Sequence, residues 1–210
     1  MDDTCRHPIL IVEGKGDEAA IPLLIRKILY EHQIFHVQTA PRPKTNVEIG
    51  KLRQPGQLER YIDFCNRDSG DSIVLAIDSD DYCPVEIGHE FAARIRNTGL
   101  RKPVSICLFN REYESIFLPS IARIAGTYPD FKWSNMMLTQ QPETIRDVKG
   151  AISKMMSADR AYKPTRDQAR FTDAIDLDLT RAASRSFRHF EKSLLWLVEQ
   201  RPLSGAVHPS

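Results

Sequence analysis

Two near-continuous apolar runs in this chain each end on a carboxylate: PILIVE at 8–13 and SIVLAID at 72–78. A strand with one wet face alternates apolar and polar residues, whereas a strand buried on both faces does not. The two runs therefore place the chain in the α/β class, with a parallel sheet covered by helices on both faces. In open sheets of that class, functional groups gather beyond the C-terminal strand ends. The rigid strands thus hold Glu13 and Asp78 where chemistry is expected.

The rest of the first half fits the same architecture. Residues 17–32 place Ile21, Leu24, Ile25, Ile28 and Leu29 at helical spacing, and IFHVQTA (34–40) reads as a short strand. GQLERYIDFCNRD (56–68) and VEIGHEFAARIRN (85–97) read as helices, and PVSICLF (103–109) as another strand. Between them, PRPKTNVEIGKLRQP (41–55) is expected to be a mobile, proline-flanked basic loop. The second half is helical in pattern. REYESIFLPSIARIAG is one helix that Pro119 bends or interrupts, PETIRDVKGAISKMM a second, and RSFRHFEKSLLWLVEQR a third. The third buries Phe187, Phe190, Leu194, Leu197 and Val198 as one stripe. The expected organisation is a core over 1–125 and a helical C-terminal extension over 126–210 packed on it, with PLSGAVHPS frayed at the end.

Composition narrows the function classes. No apolar run approaches the ~20 residues of a membrane span, and MDDTCRHP is unlike a secretory signal, so a cytoplasmic protein with no membrane partner is expected. Cys5, Cys65, Cys83 and Cys107 show no metal-ligand spacing and read as reduced thiols. With 29 Lys/Arg against 28 Asp/Glu the chain is nearly neutral, yet residues 84–210 hold 19 bases and 14 acids. A solvated helical surface accounts for that excess about as well as a nucleic-acid track.

The acids are more informative. Asp17 and Glu18 open the first helix, where the helix dipole favours them, and that is sufficient reason for Glu18. Asp78 and Asp80 lie two residues apart beyond a strand end and can reach one site. Carboxylates ~5 Å apart repel by roughly 3 kcal/mol at an effective dielectric of 20, and Glu13 adds to the cost unless a cation sits among them. Hard oxygen ligands in that number suit Mg²⁺ or Mn²⁺ better than zinc.

IVEGKGDE followed by IVLAIDSDD closely resembles the Toprim domain of topoisomerases, bacterial primases and OLD-family nucleases. In that family a Glu follows the first strand and a DxD the third, on a Rossmann-like core; the likeness covers roughly residues 8–115. The OLD-type branch is the nearest in pattern. Its second acid four residues after the Glu corresponds to Asp17, and its KEIExYL-like motif corresponds to REYESIFL, which brings in Glu112 and Glu114. Its downstream lysine corresponds to Lys149 in VKGAISKMM. The C-terminal pattern resembles a family of small stand-alone Toprim proteins encoded beside an ATPase in loci linked to antiphage defence. No GxxxxGK[ST] loop is present, so any ATPase would be a separate partner.

The resemblance implies a nuclease that hydrolyses nucleic-acid phosphodiesters, DNA foremost, with one or two Mg²⁺ or Mn²⁺ ions. Asp78 and Asp80, with Asp17 and Glu114, would hold the metal, and Glu13 would bind metal or shuttle a proton. Lys149 or Arg111 would neutralise charge on the phosphate; alternatively Arg111 pairs with Glu112 or Glu114. Residues 112 and 114 lie about 200° apart on a helix, so Glu114 is expected in the site and Glu112 at the helix start. A homo-oligomer is left open, and two further readings are a Toprim subunit that acts, or only scaffolds, when bound to an ATPase partner, and a phosphatase of the haloacid-dehalogenase kind with Asp78 as nucleophile. The latter leaves ILIVEGKGDE without a role.

Overall fold

The computed structural model describes residues 6–131, 141–157, 160–199 and 206–209; Cys5 and much of the tail lie outside them. Strands β1 (Pro8–Val12), β2 (Ser72–Asp78) and β3 (Val104–Phe109) lie side by side in sequence order and run parallel. Every residue of all three is buried, as the unbroken apolar runs require. Successive strand side chains point to opposite faces. Ile9, Ile11, Ile73, Leu75 and Ile77 therefore meet one layer, and Leu10, Val12, Val74 and Ala76 meet the other.

The first layer consists of α2 (Ile49–Leu52), α3 (Gln57–Asn66) and α4 (Pro84–Arg96). The opposite layer is built on α1 (Asp17–Glu31), α5 (Ile121–Thr127), α6 (Val148–Met155) and α7 (Pro164–Ala174), followed by α8 (Leu177–Ala183) and α9 (Arg185–Glu199). The chain is thus an α/β protein of Rossmann-like form, with helices on both faces of a parallel sheet. Val148, Phe171, Phe187 and Phe190 join the same hydrophobic cluster as Leu10 and Val12, so the helices beyond residue 125 pack on the core. Helix α7 lies against α1, and α9 against β3.

Several elements depart from the sequence reading. Residues 34–40 form no regular strand. The chain from His36 to Lys44 instead follows the outer edge of β1 through isolated bridges at Val37 and Lys44. Pro41 and Pro43 lack the N–H groups a continuous ladder needs. The fourth strand comes from the tail: β4 (Val207–His208) pairs in parallel with β3, where fraying was expected. The expected loop at 41–55 buries Val47, Ile49 and Leu52 and contains α2. Residues Tyr113–Ser120 wind as 3₁₀ helix around Pro119 and pass into α5. Of 142–156, only Val148–Met155 is α-helix. Cys65, Cys83 and Cys107 are free thiols.

Phe171 of α7 is fully buried and meets the rings of Phe117, Tyr128, Phe131 and Tyr162 at 5.6–5.8 Å between centroids. Pairs at such spacing add to plain burial. Phe171→Ala is expected to destabilise the protein by about 3–5 kcal/mol in urea unfolding, because the ring fills the space between α7 and the turn after β3. A loss under 1 kcal/mol would show that this cluster does not hold the two halves together.

Candidate functional site

Strands β1 and β2 are adjacent and in register, with Val12 opposite Ala76. Glu13 follows Val12 and Asp78 closes β2 two residues past Ala76, so the two emerge near one another, and the Asp78 N–H donates to Glu13 Oε2 at 3.3 Å. The Glu13 carbonyl accepts from the N–H groups of Asn46 and Val47, which fixes its backbone. Asp78 accepts from the Tyr113 N–H at 2.7 Å through Oδ1. These two carboxylates line a cavity of about 260 Å³ together with Asp17, Glu114 and Lys149.

Each wall is held by a contact between distant parts of the chain. Asp17 opens α1; its Oδ2 accepts from the Gly14 N–H at 2.9 Å and its Oδ1 from Gln168 Nε2 of α7 at 2.6 Å. Gly16 permits that approach, since an added Cβ would lie 1.9 Å from Gln168 Oε1 and 2.7 Å from Pro164 Cβ. Glu114, only 1% exposed, accepts from the Tyr162 hydroxyl at 3.0 Å through Oε1. Its Oε2 makes no hydrogen bond, and its counter-charge is the Lys149 ammonium 3.4 Å away. The same ammonium lies 3.5 Å from Asp78 Oδ2 and 3.3 Å from Glu112 Oε1. Lys149 stands in the first turn of α6, where the helix dipole disfavours a cation; the surrounding carboxylates override that preference.

Glu112 corrects the sequence expectation. It precedes the 3₁₀ turn in an extended conformation, so the 200° helical offset from Glu114 does not apply. Both residues reach Lys149, and Glu112 Oε2 also accepts from the Val148 and Lys149 N–H groups at 2.8 and 3.1 Å, capping α6. Arg111 pairs with neither of them. Its guanidinium donates to Asp81 at 2.9 Å, and Arg146 lies on the same Asp81 oxygen at 3.1 Å. Asp80 and Arg111 occupy left-handed backbone, φ +50° and +66°, and the Asp80 N–H donates to the Arg111 carbonyl. That strained pair of turns sits at the rim, with Asp80 exposed. Five predicted residues, Glu13, Asp17, Asp78, Glu114 and Lys149, thus share the cavity, while Asp80 and Arg111 stand outside it.

Burial dominates the electrostatics. Desolvation and the nearby Asp80 and Asp17 charges push the Glu13 carboxyl up to about 7. Burial likewise pushes Glu114 up to about 7 despite Lys149 and Tyr162. Asp78 is raised well above the usual carboxylate range by burial, then by Glu114 and Glu13, and Asp17 and Asp80 are raised mainly by burial. Burial opposes the charge on Lys149, yet Glu114, Asp78 and Glu112 outweigh it and hold the ammonium above its ordinary value.

The donor set fits a hard divalent cation by its chemistry, being all oxygen and including one buried oxygen without a hydrogen bond. The oxygens are not gathered, however. Among the described residues, only Glu31, His32 and Glu191 bring three ligand atoms within 4.8 Å of one another. Arg181 already neutralises that trio through ion pairs with Glu31 and Glu191. Residues that sequence reasoning missed are Gln168, Tyr162, Arg146 and Asp81. Nothing in TRDQARF or RAYKP marks the first two; the packing of α7 on α1 brings Gln168 to the cavity, and Tyr162, just before α7, bonds its Glu114 from behind.

Among known families, the model of one described as a domain of unknown function (DUF4276) matches residues 12–195. No curated protein and no solved structure gives a significant match.

Because Glu13 and Glu114 ionise about 7 in the fold and at 4.5 when exposed, their contribution to stability is full below pH 4.5 and is lost as pH rises through 7. Lys149 offsets that loss. In chelator, Lys149→Met is therefore expected to cost little at pH 5 and about 1–2 kcal/mol at pH 8, less than a fully buried pair because the Lys149 side chain is 37% exposed, read by urea unfolding. An equal loss at both pH values would mean the ammonium does not balance these carboxylates.

Proposed function

The chain belongs to the DUF4276 family, and we propose that it is a cytoplasmic metal-dependent nuclease of the Toprim kind, hydrolysing nucleic-acid phosphodiesters, DNA foremost. The observation that supports this most directly is the delivery of Glu13 and Asp78 by adjacent parallel strands into one cavity with Asp17, Glu114 and Lys149. That arrangement crowds acids of raised pKa around a single cation, as a site for phosphate chemistry needs.

Asp78, Asp17 and Glu114 of the cavity, with Asp80 turned in from the rim, would hold Mg²⁺ or Mn²⁺. A bound ion would supply charge stabilisation at the phosphate and a more acidic water. The remaining work falls to the chain's own residues. Glu13, with its carboxyl near 7, is poised to take a proton from water at neutral pH. Lys149 neutralises charge developing on the phosphate oxygens. Gln168 holds Asp17, and the Tyr113 N–H and Tyr162 hydroxyl hold Asp78 and Glu114, so the acids keep their orientation. At the rim, Arg111 and Arg146 share one exposed aspartate, which an incoming phosphate can replace.

One observation favours a second reading, a subunit that acts only with an ATPase partner or a second copy of itself. The Lys149 ammonium stands among the acids, and no three of them are drawn together. A partner that shifts α6 would change that arrangement.

The test is plasmid cleavage by the purified chain with Mg²⁺ or Mn²⁺. Nicking is expected to disappear in EDTA and in Asp80→Ala, and to fall about 100-fold or more in Lys149→Met. Cleavage that survives Asp80→Ala would overturn the proposed site. An inert chain that still binds Mn²⁺ by calorimetry would support the partner-dependent reading.

A further inference from the structure

On the layer carrying α3, a groove of about 610 Å³ runs between residues 43–45 and the exposed side of that helix. Four cations line it, Lys44, Lys51, Arg60 and Arg67, with Tyr61 and Phe64 between them. Lys44 pairs with Asp68 at 3.0 Å and Arg67 with Asp63 at 2.6 Å, Asp63 being the acid among the lining residues. Lys51 and Arg60 are exposed and make no ion pair among the described residues. The Phe64 ring is 58% exposed, with the Lys44 ammonium 4.7 Å from its centroid. Tyr61 is half-buried, and its hydroxyl donates to the Asn46 carbonyl at 3.2 Å, which fixes that ring as a wall.

The groove and the acid cavity share one stretch of backbone. Lys44 is bonded alongside β1, its carbonyl accepting from the Val12 N–H at 2.8 Å, and beyond Thr45 the N–H groups of Asn46 and Val47 donate to the Glu13 carbonyl. The Thr45 side chain meets Glu18 in the first turn of α1. Residues 44–47 thus tie the groove to the backbone of Glu13.

We infer that this groove binds single-stranded nucleic acid, an unpaired base stacking on Phe64 and phosphates meeting Lys51 and Arg60. This rests on the nuclease reading of the acid cavity and names the form of its substrate. Unpaired cations track a phosphate backbone whatever the strand, but an exposed ring can stack only on a base free of its partner. A duplex would leave Phe64 in water and use the cations alone. The shared chemistry, base plus phosphate, covers DNA and RNA strands.

The experiment is fluorescence anisotropy with labelled oligo(dT), oligo(U) and a DNA duplex, in EDTA so that no strand is cut. The full chain is expected to bind the single strands more tightly than the duplex. Phe64→Ala should weaken single-strand binding about tenfold and leave duplex binding unchanged. Lys51→Ala with Arg60→Ala should lower the magnitude of the salt slope by about 1.4. Unchanged melting temperatures would show that these surface variants fold. Oligo(dT) against oligo(U) reads which sugar is preferred. Unaltered single-strand affinity in both variants, or no binding by the full chain, overturns the groove. The two readings separate in the same set of proteins: metal-dependent cleavage with unaltered KM in the groove variants removes the groove and keeps the nuclease. Binding that depends on Phe64, without cleavage in any metal, removes the nuclease and keeps the groove.

Discussion

The ammonium of Lys149 is the positive charge on which the site depends, lying within 3.5 Å of Asp78, Glu112 and Glu114. Asp78 and Glu114 resist ionisation, because each loses hydration on burial and faces a like-charged neighbour. A cation inserted from α6 relieves both penalties. Since Glu112 also caps α6, the helix that brings the cation is itself positioned by one of the acids the cation serves. The acids beyond β1 and β2 and the helix beyond residue 147 are therefore one electrostatic unit, although about 70 residues separate Asp78 from Lys149.

That unit needs a rigid frame, which the parallel sheet supplies at the bottom and the aromatic cluster at the side. The strands are sealed on both faces, so Glu13 and Asp78 leave the sheet at fixed positions. Phe171 locks α7 against the turn that carries Glu114, and the same helix sends Gln168 to Asp17. Packing around one buried ring thus sets the orientation of two acids from opposite sides of the cavity.

Around this frame the polar surface is divided by task. Acids crowd the cavity, two arginines sharing Asp81 stand at its rim, and unpaired Lys51 and Arg60 lie in the groove beyond residues 43–45. A net charge near zero conceals that division.

The sequence by itself determined the sheet and its strand-end acids. An unbroken apolar run has one stable use in a chain of this kind, a strand covered on both faces, and the residue after it must emerge at the functional edge. The stripe of α9 was equally legible, because helical period and burial coincide at Phe187, Phe190, Leu194, Leu197 and Val198. Tertiary structure decided the rest. Residues 34–40 have strand composition but lie beside prolines that break the ladder, while the polar-looking tail supplies a strand because β3 offers it an open edge. Glu112 joins the site only because its segment is extended and then 3₁₀, not α-helical. Gln168 reaches the cavity, and Tyr162 reaches Glu114, because α7 and the segment before it pack on α1 and the turn after β3, and such long-range packing depends on shape across the whole core, which no local residue pattern encodes.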